Sequence, residues 1–220
     1  MSSTTTAEII VIGGGLYGSC IAYNLAKNGA SDVVVLERNG LCSGGTAKSC
    51  AVIRTHYSIE ANMHHAVESL KIFSNFDEIV GGDIGWRRTG YIILGPEEHR
   101  EPMLKVFRQQ NKYGVDTEEL TPSEAHDVHP LLSFHDVSVI GYDTLTGYVD
   151  PYLTVTAYAH RARELGATIH TETPVTGLKL DGGMKTVETP RGKFQAPTVI
   201  LAIGPWTNQI GEMIGVEFPY

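Results

Sequence analysis

The residues most able to do chemistry stand near the start of the chain, where Gly13-x-Gly15-x-x-Gly18, with Gly14 inside the run, follows the apolar stretch Glu8 to Ile12. That stretch reads as a buried strand, and the spacing of Cys20, Ile21 and Leu25 after it reads as a helix ending at Gly29. In this setting the first glycine permits a tight turn, the second lets backbone approach a pyrophosphate, and the third lets the helix pack on the strand. The phosphates of a dinucleotide would lie at the positive end of that helix. A second buried strand, Asp32 to Leu36, ends at Glu37 with Arg38 beside it. A carboxylate there can accept from both hydroxyls of an adenosine ribose, and it disfavours a 2′-phosphate, so NADP is the poorest candidate.

FAD and NAD share this fingerprint, and the elements that follow decide between them. A nicotinamide-binding domain continues with further βα units. Here a Gly/Ser/Thr/Lys-rich connection spans 39–49, and Ser43, Gly44, Gly45 and Thr46 offer donors for a second phosphate and a flavin; the alternative is an ordinary polar loop. Apolar side chains at Ile59, Met63, Ala66, Leu70 and Phe73 put one buried face on a helix within 58–80. Between Gly85 and Val149 short strands, Tyr91 to Leu94 and Val137 to Tyr142, surround a polar helix near 101–113. A second short helix starts at the capping box of Thr121, Pro122 and Glu124.

Asp150 and Pro151 read as N-cap and first residue of a further helix that buries Val155, Ala159, Ala162 and Leu165 and stops at Gly166. Thr168 to His170, Val175 to Leu180, Lys185 to Thr189 and Phe194 then read as a meander turned at Asp181-Gly182-Gly183 and Pro190-Arg191-Gly192. A last buried strand, Thr198 to Ile203, stops at Gly204-Pro205-Trp206. The order predicts an α/β fold: a Rossmann-like FAD-binding domain of the glutathione reductase type, a βαβ unit plus a β-meander. That domain is expected over 7–83 and 150–220, with an inserted, incomplete α+β substrate lobe over 84–149. Order is expected to begin near Ala7, after a Ser/Thr leader at 2–6.

Composition narrows the partners. Seventeen Lys and Arg against 25 Asp and Glu give a net charge of −8, which argues against a nucleic-acid backbone as ligand. The run Ile9 to Ile12 is far short of the ~18 residues that span a bilayer. The three cysteines form no C-x-x-C pair, and the amino-terminal residues have neither a basic signal-peptide start nor an Arg-rich transit pattern. A cytoplasmic location is therefore expected. His64 and His65 are adjacent on a helix and point about 100° apart. His126 and His129 are followed at once by Pro130, and no metal site is expected.

GGTAKSCAVIRTHY at 44–57, WRRTGYI at 86–92, GYVDPY at 147–152 and LAIGPW at 201–206 occur in an order that resembles the D-amino acid oxidase/sarcosine oxidase family over the whole chain. Within it, the sarcosine oxidase β subunit and related dimethylglycine or proline dehydrogenases are most similar. The resemblance implies bound FAD and oxidation of the C–N bond of a small amino acid or amine such as sarcosine, with hydride transfer to flavin N5 and hydrolysis of the resulting imine. It further implies that Arg54, with Tyr57 beside it, binds the substrate carboxylate. A guanidinium fork holds a carboxylate in one orientation; the alternative is pairing with a local acid or with the FAD phosphates.

By the same resemblance Lys48 and Ser49 touch the flavin, Val175 holds the adenine through its backbone, and Gly204 packs on the pyrophosphate. Residues 43–53 contain no His for covalent flavin attachment. Family members continue well beyond Tyr220, so roughly the first half of the pattern is expected here. A noncatalytic flavin-binding or assembly subunit is therefore an alternative function, and an NAD-dependent dehydrogenase a third. Other oxidase-complex subunits or an electron-transfer protein are the expected protein partners.

Overall fold

The computed structural model describes residues 4–180 and 182–219. The chain divides into two compact units: 1–50, 80–84 and 150–220 form the first, and 51–79 with 85–149 form the second.

The first unit is built on a four-stranded parallel sheet in the order Thr168–His170, Val33–Leu36, Ile9–Ile12, Thr198–Leu201. Ile9 stands opposite both Val33 and Thr198. Strands covered on both faces must be apolar throughout, which is why IIVI and VVVL show no alternation. The helices Leu16–Lys27 and Pro151–Glu164 pack on each other, with the Tyr23 and Tyr158 rings 5.5 Å apart. Asp150 caps the second helix by accepting from the Leu153 N–H at 2.8 Å, and Gly166 stops it at φ +100°.

Gly177–Lys179, Lys185–Thr189 and Gly192–Ala196 form the antiparallel meander. Its Leu178, Val187 and Phe194 share one core with Ile10, Ile12, Val34 and Leu36 of the parallel sheet and with Ile210 of the helix Thr207–Ile214. At roughly 1.5–3 kcal/mol per fully buried side chain, this shared core is what fixes the glycine turn at the strand ends.

Three sequence expectations change here. Thr168–His170 is not a meander strand: its TIH run pairs parallel with Val33–Leu36 at the open edge of the sheet. Ordered structure starts before Ala7, since Thr4–Thr6 pairs parallel with Gly192–Ala196, giving its backbone donors and acceptors a ladder; Ser2 and Ser3 lie outside the described residues, as does Asp181 of the expected turn. Residues 51–79 group with the second unit, because Val52–Ile53 pairs there with Gly147–Tyr148.

The second unit carries the antiparallel sheet Tyr91–Gly95, Val139–Asp143, Thr117–Glu119. The helix Arg100–Lys112 sits close over it: a Cβ at Gly141 would overlap the Phe107 ring. The helix Pro122–Val128 starts at Thr121 with both arms of the capping box formed. A small ladder joins Val52–Ile53, Gly147–Tyr148 and Arg87–Arg88. The helix Glu60–Ser74 buries Met63 and Leu70, whereas Ile59 precedes it as the N-cap and is 61% exposed, since its extended backbone leaves the helical face.

Candidate functional site

The end of the strand Ile9–Ile12 cannot continue straight. Gly13 adopts φ +112°, and a Cβ there would overlap the Ala202 carbonyl oxygen; a Cβ at Gly18 would overlap the Gly13 carbonyl oxygen. These two glycines let turn, helix and neighbouring strand close on one another. At Gly15 the nearest atom to a Cβ would be Thr46 Oγ1, at 3.1 Å. Gly15 caps the helix Leu16–Lys27 without a side chain, and the first turn holds no acid. The positive end of the helix therefore opens onto free space rather than onto a capping carboxylate.

Glu37 points into this turn. Its Oε2 accepts from the Gly14 N–H at 2.7 Å and its Oε1 from the Asn39 N–H at 2.9 Å. A carboxylate has about four acceptor sites, so two remain for the hydroxyls of a ribose. The loop after it is tied back by the Cys42 N–H, which donates to the Gly14 carbonyl at 3.1 Å. The segment after Thr168–His170 is fastened to the same point: Glu37 N–H donates to His170 O at 2.9 Å and Thr173 N–H to Glu37 O at 2.8 Å.

Together these segments enclose a cavity of about 500 Å³ within the first unit, in the size range of cofactor and ligand sites. Gly13, Gly15, Glu37, Arg38, Ser43, Gly45, Thr46, Val175 and Gly204 all line it. Gly14 and Gly18 act from behind, the first by its hydrogen bond to Glu37 and the second by its packing. Lys48 and Ser49 are exposed in and after the short turn Thr46–Lys48 and do not line the cavity. Sequence reading missed several walls, among them Tyr17, Thr173 and Trp206. Trp206 could have been found, because GPW at a strand end places a large ring beside the glycine turn. It lies under the Arg38 guanidinium, 4.0 Å from ring centroid to Cζ. Thr173 carried no signal.

The cavity suits the adenosine diphosphate part of a dinucleotide. It has a carboxylate with spare acceptor sites, glycine backbone that a Cβ would obstruct, an uncapped helix start, and the hydroxyls of Ser43 and Thr46.

Arg54 and Tyr57 belong to the second unit. The Arg54 guanidinium lies over the Tyr57 ring, 4.9 Å from its centroid, and donates to the Tyr91 hydroxyl at 3.5 Å. These two phenols hold its pKa above the ordinary arginine value. The side chain is exposed. Two residues behind it are buried: Thr55 donates to the carboxylate of Asp143, and burial raises the pKa of that acid. His56 is half-buried, which lowers its pKa. Among the described residues no cluster of three or more His, Cys, Asp or Glu side chains could hold a metal, and no helix is long and apolar enough to cross a membrane.

Residues 8–220 match the family described as FAD dependent oxidoreductase (DAO). The chain is 34% identical over 218 residues to a mitochondrial dimethylglycine dehydrogenase of Homo sapiens, covering 97% of this chain and 25% of that protein. It is 32% identical over 222 residues to a sarcosine oxidase subunit beta of Arthrobacter sp, covering 96% of this chain and 54% of that one. Among solved structures, an L-proline dehydrogenase from P. horikoshii superposes with a TM-score of 0.91 at 32% identity, covering 99% of this chain and 58% of that one. The chain thus spans between a quarter and somewhat more than half of the proteins it matches. With the glycine turn, the acid at its rim and the match over nearly every residue, the chain belongs to the FAD-dependent oxidoreductase (DAO) family.

Proposed function

We propose that this chain provides the FAD-holding unit and part of the substrate-binding lobe of an oxidoreductase acting on the C–N bond of a small amino acid, of the N-methyl or secondary-amine kind. The observation that carries the reading is the cavity in which the glycine turn, Glu37 and the 173–175 segment converge. Glu37 would take the ribose hydroxyls, the backbone at Gly13 to Gly15 and the start of Leu16–Lys27 the pyrophosphate, and Val175 the adenine. When bound, FAD supplies the two-electron acceptor that takes a hydride at N5.

The protein's own part is orientation. Arg54 binds the substrate carboxylate through its planar fork, and Tyr57 and Tyr91 hold the guanidinium in place. With the carboxylate fixed, the C–H next to the amine is presented in one direction. Loss of that hydride from an unprotonated amine leaves an imine, and water cleaves it to a carbonyl compound and the shortened amine. The names of relatives support the substrate class: dimethylglycine, sarcosine and proline all join a carboxylate to a substituted amine. The subunit name of one relative supports work within a larger complex. Cys20, Cys42 and Cys50 are all free thiols, which supports a reducing compartment such as the cytoplasm.

The test is anaerobic reduction of the full-length flavoprotein with sarcosine, dimethylglycine and proline. Bleaching of the flavin by at least one, weakened a hundredfold or more in kcat/KM by Arg54→Ala, is the expected result. A protein that holds no flavin refutes the reading. Flavin that is held and never bleached refutes the catalytic part.

A further inference from the structure

Arg54 stands on a segment that its own backbone does not hold. Only Val52 and Ile53 belong to a ladder, and residues 54–57 have no regular structure before the helix Glu60–Ser74 begins. Yet this stretch carries the group assigned to the substrate carboxylate. What fixes it are two buried polar side chains from other elements of the same unit.

From the strand Val139–Asp143, Asp143 is fully buried and accepts from Thr55 Oγ1, itself 1% exposed. Its second oxygen accepts from the Leu145 N–H at 3.0 Å. From the helix Arg100–Lys112, Gln110 is also fully buried. Its Nε2 donates to the Tyr57 carbonyl at 3.1 Å and contacts His56 Nδ1 at 2.9 Å, and its Oε1 accepts from Thr117 Oγ1 at 3.2 Å. The amide's two hydrogens and its oxygen are thus all used. Because Nε2 can only donate, His56 Nδ1 must be the acceptor, so the imidazole is neutral with its proton on Nε2. The edge contact of His56 with Phe107, 5.7 Å between centroids, holds the ring there.

A buried amide and a buried carboxyl are costly unless every polar atom is partnered. An apolar core could pack the same helix on the same sheet without that cost. Here the partners fall on Thr55, His56 and Tyr57, three consecutive residues directly after the arginine. Resting on the carboxylate reading of Arg54, we propose that Gln110 and Asp143 are positioning residues, which hold the 54–57 segment so that Arg54 and Tyr57 meet a substrate carboxylate in one geometry. Neither touches substrate. Each acts through the segment it anchors, and the two together fix its two ends.

The experiment measures acetate binding to the full-length flavoprotein by calorimetry, together with melting temperature and flavin content. Thr55→Val keeps the shape and removes the hydroxyl that meets Asp143; Gln110→Met keeps most of the volume and removes both donated bonds. Each is expected to raise the acetate Kd tenfold or more with flavin content unchanged, and Thr55→Ser, which restores the hydroxyl, is expected to return it to within about twofold of the parent. A lower melting temperature with unchanged Kd in both variants makes the two residues merely structural and overturns the proposal. Arg54→Met keeps the failures apart: if acetate binds it as well as it binds the parent, or does not bind the parent, the carboxylate reading has failed. If Arg54→Met weakens binding while Gln110→Met and Thr55→Val do not, the positioning role alone has failed. Should Thr55→Val not fold, Gln110→Met decides by the same readings.

Discussion

Gly18→Ala sets two opposed effects against each other in one atom. In an open helix interior the change would stabilise by about 1 kcal/mol, because alanine has less backbone entropy to lose. At position 18 the new Cβ would overlap the Gly13 carbonyl oxygen and also reach within 3.5 Å of the Ala202 side chain. Both neighbours are fixed, one as turn backbone and the other at the end of a sheet strand, so the start of the helix Leu16–Lys27 must move outward. Such overpacking costs about 1–3 kcal/mol, and a clash with backbone belongs at the upper end, so the clash outweighs the propensity gain. For a domain of this size each kcal/mol lowers the melting temperature by about 2–4 °C.

The apoprotein of Gly18→Ala should therefore melt several degrees below the parent. Flavin affinity should drop further, because the displaced helix start is the one that meets the pyrophosphate. Differential scanning calorimetry and flavin titration read the two effects separately. Gly40→Ala is the control: a Cβ there meets nothing within 4 Å, so neither quantity should fall. A Gly18→Ala protein as stable as the parent, with full flavin affinity, would refute the packing account of the fingerprint.

Glu37→Gln leaves one acceptor oxygen for the Gly14 and Asn39 amides and removes the charge that strengthens both bonds. With charge-assisted hydrogen bonds near 1.5–3 kcal/mol each, flavin affinity should fall about ten- to a hundredfold by fluorescence titration, and an unchanged affinity would detach Glu37 from the site. Asp143 yields a pH prediction. Burial raises its folded pKa above the ordinary 3.8, so the native state holds the proton more tightly than the unfolded chain. Its contribution is complete below 3.8 and is lost as pH rises through the folded pKa. Urea unfolding over a pH series should thus show parent stability declining relative to Asp143→Asn as pH rises above 4, and a flat difference would refute it. His56, lowered by burial, has the opposite slope: its contribution is present above about 6.5 and lost as pH falls.

The parts of the fold legible in the sequence were those in which local chemistry and tertiary packing agree. VVVL and IIVI are apolar throughout and sit in the sheet interior; Thr121, Asp150 and Gly166 mark helix ends by short-range hydrogen bonds and dihedral freedom. TIH at 168–170 is too short to announce its partner, and whether it pairs with the meander or the parallel sheet depends on a neighbour more than 130 residues away in sequence. Three threonines at 4–6 look like a polar leader until a strand edge is available to them. In the site, glycines and Glu37 were readable because their role follows from backbone geometry. Thr173 was not, since its burial comes from bonds made by Glu37. The anchoring of 54–57 was equally hidden: nothing in the spacing of Gln110 or Asp143 connects either to a loop more than 50 residues earlier.

Ile9–Ile12 lies between one strand that follows it directly and another, Thr198–Leu201, drawn from close to the end of the chain. During synthesis, one flank of this very apolar strand has no native neighbour until nearly all 220 residues have left the ribosome. The entropy of closing that loop delays folding, and the open flank is a template for pairing with other nascent chains. Yield on expression should therefore depend on chaperone capacity and on translation speed through the inserted unit more than on the equilibrium stability of the finished protein.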